Sequence, residues 1–97
     1  MLTYKAMFKF LEDGVHAEVL DYPGVITCGA DLAEARNLLA GALVDMAETN
    51  LQLGEPLPIP NPDCTHPDAD LEEPIHLLLQ ASSRVVVHPE EPLRETA

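Results

Sequence analysis

The sequence has no tryptophan, two tyrosines, two phenylalanines, two cysteines and only five basic residues in a chain of 97. Because so few aromatic side chains are present, the core of the folded chain must be small and mainly aliphatic. Two separated cysteines do not form the framework of a disulfide-rich domain, so we expect reduced thiols. The chain has seventeen acidic residues and five basic ones, which gives a net charge of −12. This charge disfavours direct binding to nucleic acid and favours cationic partners.

The sequence also lacks any apolar run long enough for a targeting signal or a membrane span, so we expect a cytoplasmic chain that does not bind membranes. Its length indicates a single domain over residues 1–97. A small domain with a thin core often gains stability by burying a further face against another subunit. We therefore expect a homo-oligomer, either a dimer or a tetramer.

The first 28 residues have the pattern of an antiparallel meander. Apolar and polar residues alternate from Thr3 to Phe10, with Tyr4, Ala6, Phe8 and Phe10 on one side, as in a half-buried strand. Asp13 and Gly14 predict a hairpin turn, and Pro23 and Gly24 predict the next bend. Residues 25–28 form a short third strand in this interpretation.

A long helix is predicted between a capping pair and a glycine. Asp31 and Glu34 have the spacing of a capping box, in which each side chain accepts a hydrogen bond from a free amide at the helix start. Gly54, followed by Pro56, predicts the end near Leu53. The helix is expected to cover the sheet with one face, made up of Leu32, Ala35, Leu39, Leu43, Met46 and Leu53.

The middle of this helix is apolar over more than one stripe. Leu38, Ala42, Val44 and Ala47 are therefore candidate interface residues, although the same pattern also suits a wide core stripe. His76, farther along the chain, is a fifth candidate for a partner surface. The two interpretations of the helix surface stay open at this point.

The second half of the chain is rich in proline and acidic residues. Residues 55–70 are predicted to form a proline-rich linker or strap. Residues 71–89 form the C-terminal strand region, in which residues 71–81 suit either a helix or a strand and residues 84–88 suit a strand. Residues 90–97 are a charged tail. The expected fold is α+β, with a three-stranded antiparallel meander, one long helix packed on the sheet and a further C-terminal strand.

The order of these features resembles the HicB-like antitoxin family. Within residues 20–35, an acidic residue precedes Pro23-Gly24, and a short apolar strand ending in threonine, a glycine and a capped helix with Glu-Ala in its first turn follow. Residues 54–58 are similar to the family's helix exit, so the resemblance covers residues 2–60. It implies a partial RNase H-like fold of order β-β-β-α-β, and a partner that is a small basic mRNA-cleaving toxin, HicA-like, neutralised by protein contact.

No helix-turn-helix or ribbon-helix-helix pattern follows the linker, so the chain is closer to the short stand-alone members of that family and is not expected to bind an operator. A homo-oligomeric structural or regulatory protein without a toxin is the alternative function.

Carboxylates at Asp13, Asp21, Asp31 and Glu34 suggest a third function, a metal-dependent nuclease. Each of these residues has a structural role in a turn or a helix cap instead. The residues near Cys64 and His66 lack the paired spacing of zinc ligands. We therefore expect a non-catalytic protein with no catalytic residues, no metal site and no cofactor.

Overall fold

The computed structural model describes residues 1–79, and the strand predicted at residues 84–88 and the tail at 90–97 lie outside this part. The elements are β1 (Leu2–Leu11), β2 (Gly14–Val19), β3 (Ile26–Gly29), α1 (Leu32–Gln52) and β4 (Leu71–Leu77). The four strands form one antiparallel sheet of order β3-β2-β1-β4. The predicted α+β fold of order β-β-β-α-β is confirmed, and residues 71–77 are a strand.

The first hairpin turns one residue earlier than the sequence suggested. Leu11 pairs with Gly14, so Glu12 and Asp13 form the two-residue loop and Gly14 belongs to β2. A Cβ atom on Gly14 would lie 2.8 Å from the carbonyl oxygen of Gly29 on β3. Gly14 is therefore required by the close approach of the neighbouring strand and not by the turn itself.

The core lies between α1 and one face of the sheet. On the sheet it contains Tyr4, Ala6, Phe8, Val15, Ala17 and Val19, and on the helix it contains Ala35, Leu39, Leu43 and Ala47. Phe10 was expected in this core but is 51% exposed. The reason is that β4 begins at Leu71, opposite Phe8, so no strand flanks Phe10 on that side.

Both predicted ends of α1 are confirmed. The Asp31 Oδ1 atom accepts the amide of Glu34 at 2.8 Å, and Glu34 Oε1 accepts the amide of Ala30 at 2.6 Å. Gly54, one residue beyond the C-cap, has a φ of 74°, which favours glycine. The prediction that Leu53 belongs to the core is wrong, because it is the C-cap residue, where the chain leaves the helix, and it is 67% exposed.

Residues 55–70 form a strap that is tied to the sheet. The Tyr4 hydroxyl donates to the carbonyl oxygen of Pro58 at 2.8 Å, and the Lys5 ammonium donates to the carbonyl oxygens of Pro62 and Cys64 at 2.8 and 2.9 Å. Tyr4 lies on the helix side of the sheet and Lys5, its neighbour in β1, on the other side. The strap therefore passes from one side of the sheet to the other. On the same face as Lys5, Met7 is only 1% exposed.

Within residues 1–79, no helix is long and apolar enough to cross a membrane.

Candidate interaction surface

The side of α1 that faces away from the sheet carries a stripe of acidic residues. Glu34, Leu38, Gly41, Asp45 and Glu48 follow the spacing i, i+4, i+7, i+11 and i+14, which places them along one line of a helix. All five are exposed, and we call them the acidic stripe. The basic residue of the helix, Arg36, lies on another side, where it forms a bidentate ion pair with Glu73 of β4 at 2.8 and 2.9 Å. The stripe therefore presents three carboxylates around one leucine.

The structure separates the helix residues that the sequence offered as an interface. Leu38 belongs to the acidic stripe and is 44% exposed. Ala42 and Val44 are half-buried and pack against the core. Ala47 has no exposed area, because its side of the helix faces the sheet, together with Ala35, Leu39 and Leu43.

His76, the remaining candidate, lies on a different surface. It pairs with Thr3 across β1 and β4, on the face of the sheet opposite to α1. Its Nδ1 atom is 2.9 Å from the Thr3 hydroxyl, and its side chain is exposed. The structure therefore does not bring His76 together with Leu38, and a partner on the helix would not contact it.

Three of the four carboxylates that suggested a nuclease accept hydrogen bonds from backbone amides of the chain itself. Asp31 and Glu34 cap the helix, and Asp13 lies in the hairpin loop. Asp21 accepts two backbone amides, those of Lys5 at 2.9 Å and Asn61 at 2.8 Å. Among residues 1–79, no three His, Cys, Asp or Glu side chains form a group that could hold a metal ion.

The polar cleft beside β1 is likewise a site of internal contacts. It has a volume of about 300 Å³, and Lys5, Asp21 and Glu72 are among its lining residues. Lys5 holds the strap and lies 3.7 Å from Glu72, whose other oxygen accepts the amide of His66. These charged groups bind the strap to the sheet, so they are not free to select a ligand.

Replacing Asp21 by alanine is expected to lower the free energy of unfolding by about 2 kcal/mol, because the part-buried amide of Lys5 and the exposed amide of Asn61 lose a charged acceptor. The Asp21→Asn variant keeps one acceptor oxygen and should lose about half as much. Urea denaturation of both variants measures the difference. Equal stability of Asp21→Ala and the original chain would show that the strap is not held by this residue.

The two cysteines have different surroundings. Cys28 on β3 is exposed and faces His16 on β2, a pairing that the sequence did not reveal because twelve residues separate them. Cys64 on the strap is half-buried. Burial first, and then the negative charge of Asp21, raises the pKa of the Cys64 thiol above its ordinary value.

Because the thiolate is the reactive form, iodoacetamide at a pH of about 8 should modify Cys28 at least about tenfold faster than Cys64. Mass spectrometry of peptides after timed quenching measures both rates in one sample. In urea the two thiols should react at similar rates. Equal rates in the folded chain would contradict the burial of Cys64.

The geometry of the sheet and helix can be compared with solved structures. One neighbour is the N-terminal domain of the Burkholderia pseudomallei antitoxin HicB, which matches with a TM-score of 0.63 and 20% identity over 80% of this chain and 100% of that one. The chain has the fold of a HicB N-terminal domain. A second neighbour, from a HicA3 and HicB3 toxin-antitoxin complex, matches with a TM-score of 0.56 and 22% identity over 64% of this chain and 72% of that one.

No protein-family model matches the sequence, and no curated protein matches it. The HicB-like fold therefore rests on structure, and it extends beyond residues 2–60, where the sequence resemblance was found. The acidic stripe was not predicted from the sequence, although the helical spacing of Glu34, Asp45 and Glu48 is a signal for it.

Proposed function

We propose that this chain is a non-catalytic antitoxin-like protein that inhibits a small basic toxin, HicA-like, by direct contact. The observation that carries the proposal is the fold, which is shared with an antitoxin domain and with a chain of a toxin-antitoxin complex. A protein with this fold and a net charge of −12 is suited to a cationic protein partner.

The acidic stripe is the surface that we assign to this contact. Its three carboxylates attract a basic partner over a distance, and Leu38, at 44% exposure, offers an apolar contact between them. Gly41 adds no side chain and leaves the centre of the stripe open to close approach. Arg36 is paired with Glu73, so it does not neutralise the carboxylates of Asp45 and Glu48.

The test takes as the partner any small basic protein that is encoded beside this chain in its genome and arrests growth when expressed alone. Co-expression should relieve the growth arrest that this partner causes, and the two proteins should purify together. If the partner neither binds the chain nor loses its toxicity, the proposal is wrong.

Charge reversal locates the contact. The double variant Asp45→Lys and Glu48→Lys should weaken binding by about tenfold or more and reduce its dependence on salt. The double variant Asp63→Lys and Asp68→Lys changes the net charge by the same amount on the exposed strap, away from the helix. Equal weakening by both variants would leave only a general effect of charge and would contradict the assignment to the stripe.

A further inference from the structure

The strand β3 lies at one edge of the sheet, and the backbone groups on its outer side are unpaired. The amide of Val19 on β2 donates to the carbonyl oxygen of Val25 at 2.9 Å. Backbone groups alternate in direction along an antiparallel strand, so Thr27 also faces β2, whereas Ile26 and Cys28 direct their amides and carbonyls away from it. Within residues 1–79, no group forms a hydrogen bond with these amides and carbonyls. The outer side of β3 therefore offers donors and acceptors at the spacing of a further strand.

The edge at β3 carries none of the residues that commonly keep another strand away. Proline, lysine or an inward-pointing charge protects many natural edges, but β3 has the sequence Ile-Thr-Cys-Gly. At the opposite edge, Pro74 of β4 pairs with Lys5, whose amide and carbonyl are bonded to Asp21 and Leu20. The nitrogen of Pro74 therefore faces outward and has no hydrogen to donate. Among the residues that the structure describes, β3 thus forms the edge to which a strand can be added.

The surroundings of this edge select the side chains of an added strand. Ile26, at 56% exposure, and Cys28 are exposed on the face of the sheet opposite to α1, so apolar side chains can pack beside them. Carboxylates lie around the strand: Glu18 pairs with Ile26, and Asp31 and Glu34 follow β3 at the start of α1. These carboxylates attract basic side chains and repel a second copy of this acidic chain.

We infer that the outer edge of β3 binds an extended basic segment of a partner protein, which adds a fifth strand to the four of the sheet. Backbone hydrogen bonds supply the affinity, and alternating apolar and basic side chains supply the selection. This edge is a different surface from the acidic stripe, and a basic segment fits it whether or not it belongs to a toxin. The edge is tested with a peptide and without a toxin, so a failure here would leave the proposed inhibition of a toxin standing.

Hydrogen exchange of single amides, followed by NMR of the full chain, tests the edge directly. In the free chain, the amides of Ile26 and Cys28 should be at least about tenfold less protected than that of Thr27, which faces β2. The peptide acetyl-Lys-Val-Lys-Val-Lys-Val-Lys-amide, added to saturation, should slow the exchange of both amides by about fivefold or more. Slow exchange of both in the free chain would show that residues 80–97 or a second copy already cover the edge, and would overturn the inference.

Two further peptides separate strand addition from attraction by charge. The same peptide with an N-methyl group on every residue keeps its charge but has no peptide-bond hydrogen to donate, so its affinity should be at least about tenfold lower. A peptide with glutamate in place of each lysine should not bind at about 1 mM. Equal affinity of the methylated and unmethylated basic peptides would overturn the inference, as would no binding of the unmethylated one at about 1 mM.

The variant Cys28→Pro closes the edge in the chain itself. It removes the outward amide hydrogen, as Pro74 does in β4, and no hydrogen bond to β2. Affinity for the basic peptide should fall at least about tenfold, whereas Cys28→Ser, which keeps the amide, should stay within about twofold of the original chain. Thermal denaturation checks that both variants fold, and if Cys28→Pro does not, the methylated peptide on the original chain decides. Equal affinity of two folded variants would place the peptide elsewhere and contradict the inference.

Discussion

Replacing Gly29 by alanine is expected to lower the free energy of unfolding by about 3 kcal/mol, near the upper end of the effect of overpacking. A Cβ atom on Gly29 would lie 2.5 Å from the amide nitrogen and 2.8 Å from the Cα atom of Ala35. These are backbone atoms in the first turn of α1, and they cannot rotate away as a flexible side chain can. The helix would have to move from β3, although Leu39 and Leu43 hold it against the sheet.

The same substitution at Gly41 is the control. Gly41 lies in the middle of α1, and nothing lies within 4 Å of the position of its Cβ atom. Because alanine favours a helix more than glycine does, Gly41→Ala should raise the free energy of unfolding by about 0.5 to 1 kcal/mol. Urea denaturation gives both values. Destabilisation of similar size in the two variants would show that the close approach of β3 and α1 is not the cause.

The features that the sequence predicted correctly are those that neighbouring residues determine. The bend at Pro23 and Gly24, the capping pair of Asp31 and Glu34 and the exit at Gly54 each depend on residues within a few positions, and each is found in the structure. The order of strands and helix follows from these residues, which mark where elements begin and end, together with the alternation of apolar and polar residues in β1.

The errors arise where distant residues decide the environment. Phe10 continues the alternation of β1, but β4 begins opposite Phe8, so no strand flanks Phe10 on that side. Apolar residues lie on several sides of the middle of α1, so the sequence left Ala47 as a candidate for either the core or a partner contact. The acidic residues of the stripe determine which side faces the sheet: they face water, and Ala47 therefore lies against the sheet.

The candidate surface was predicted only in part for the same reason. Leu38 is exposed, as expected. His76 lies on β4, and the sequence did not show which strand β4 would pair with. Its pairing with β1 places His76 on the face of the sheet opposite to α1. The contacts of the strap depend on Tyr4, Lys5 and Asp21 binding backbone groups far along the chain. No periodicity or spacing in the sequence predicts such pairs.

Replacing Leu39 by alanine is the second change with a large expected effect. Leu39 has no exposed area and lies in the row of α1 residues that contacts the sheet. Removing its side chain loses apolar burial and leaves a cavity, which together should lower the free energy of unfolding by about 3 kcal/mol. The cavity contributes to this loss because a closely packed interior relaxes only partly into the empty space.

Leu38→Ala is the matched control, since it removes the same atoms from the next residue of the helix. Leu38 is 44% exposed on the acidic stripe, so this variant should lose no more than about 0.5 kcal/mol. The midpoints of urea denaturation measure both changes, and unchanged slopes would show that the unfolding reaction is the same. Equal losses would mean that α1 packs on the sheet with a different side, and the acidic stripe would then not face the solvent.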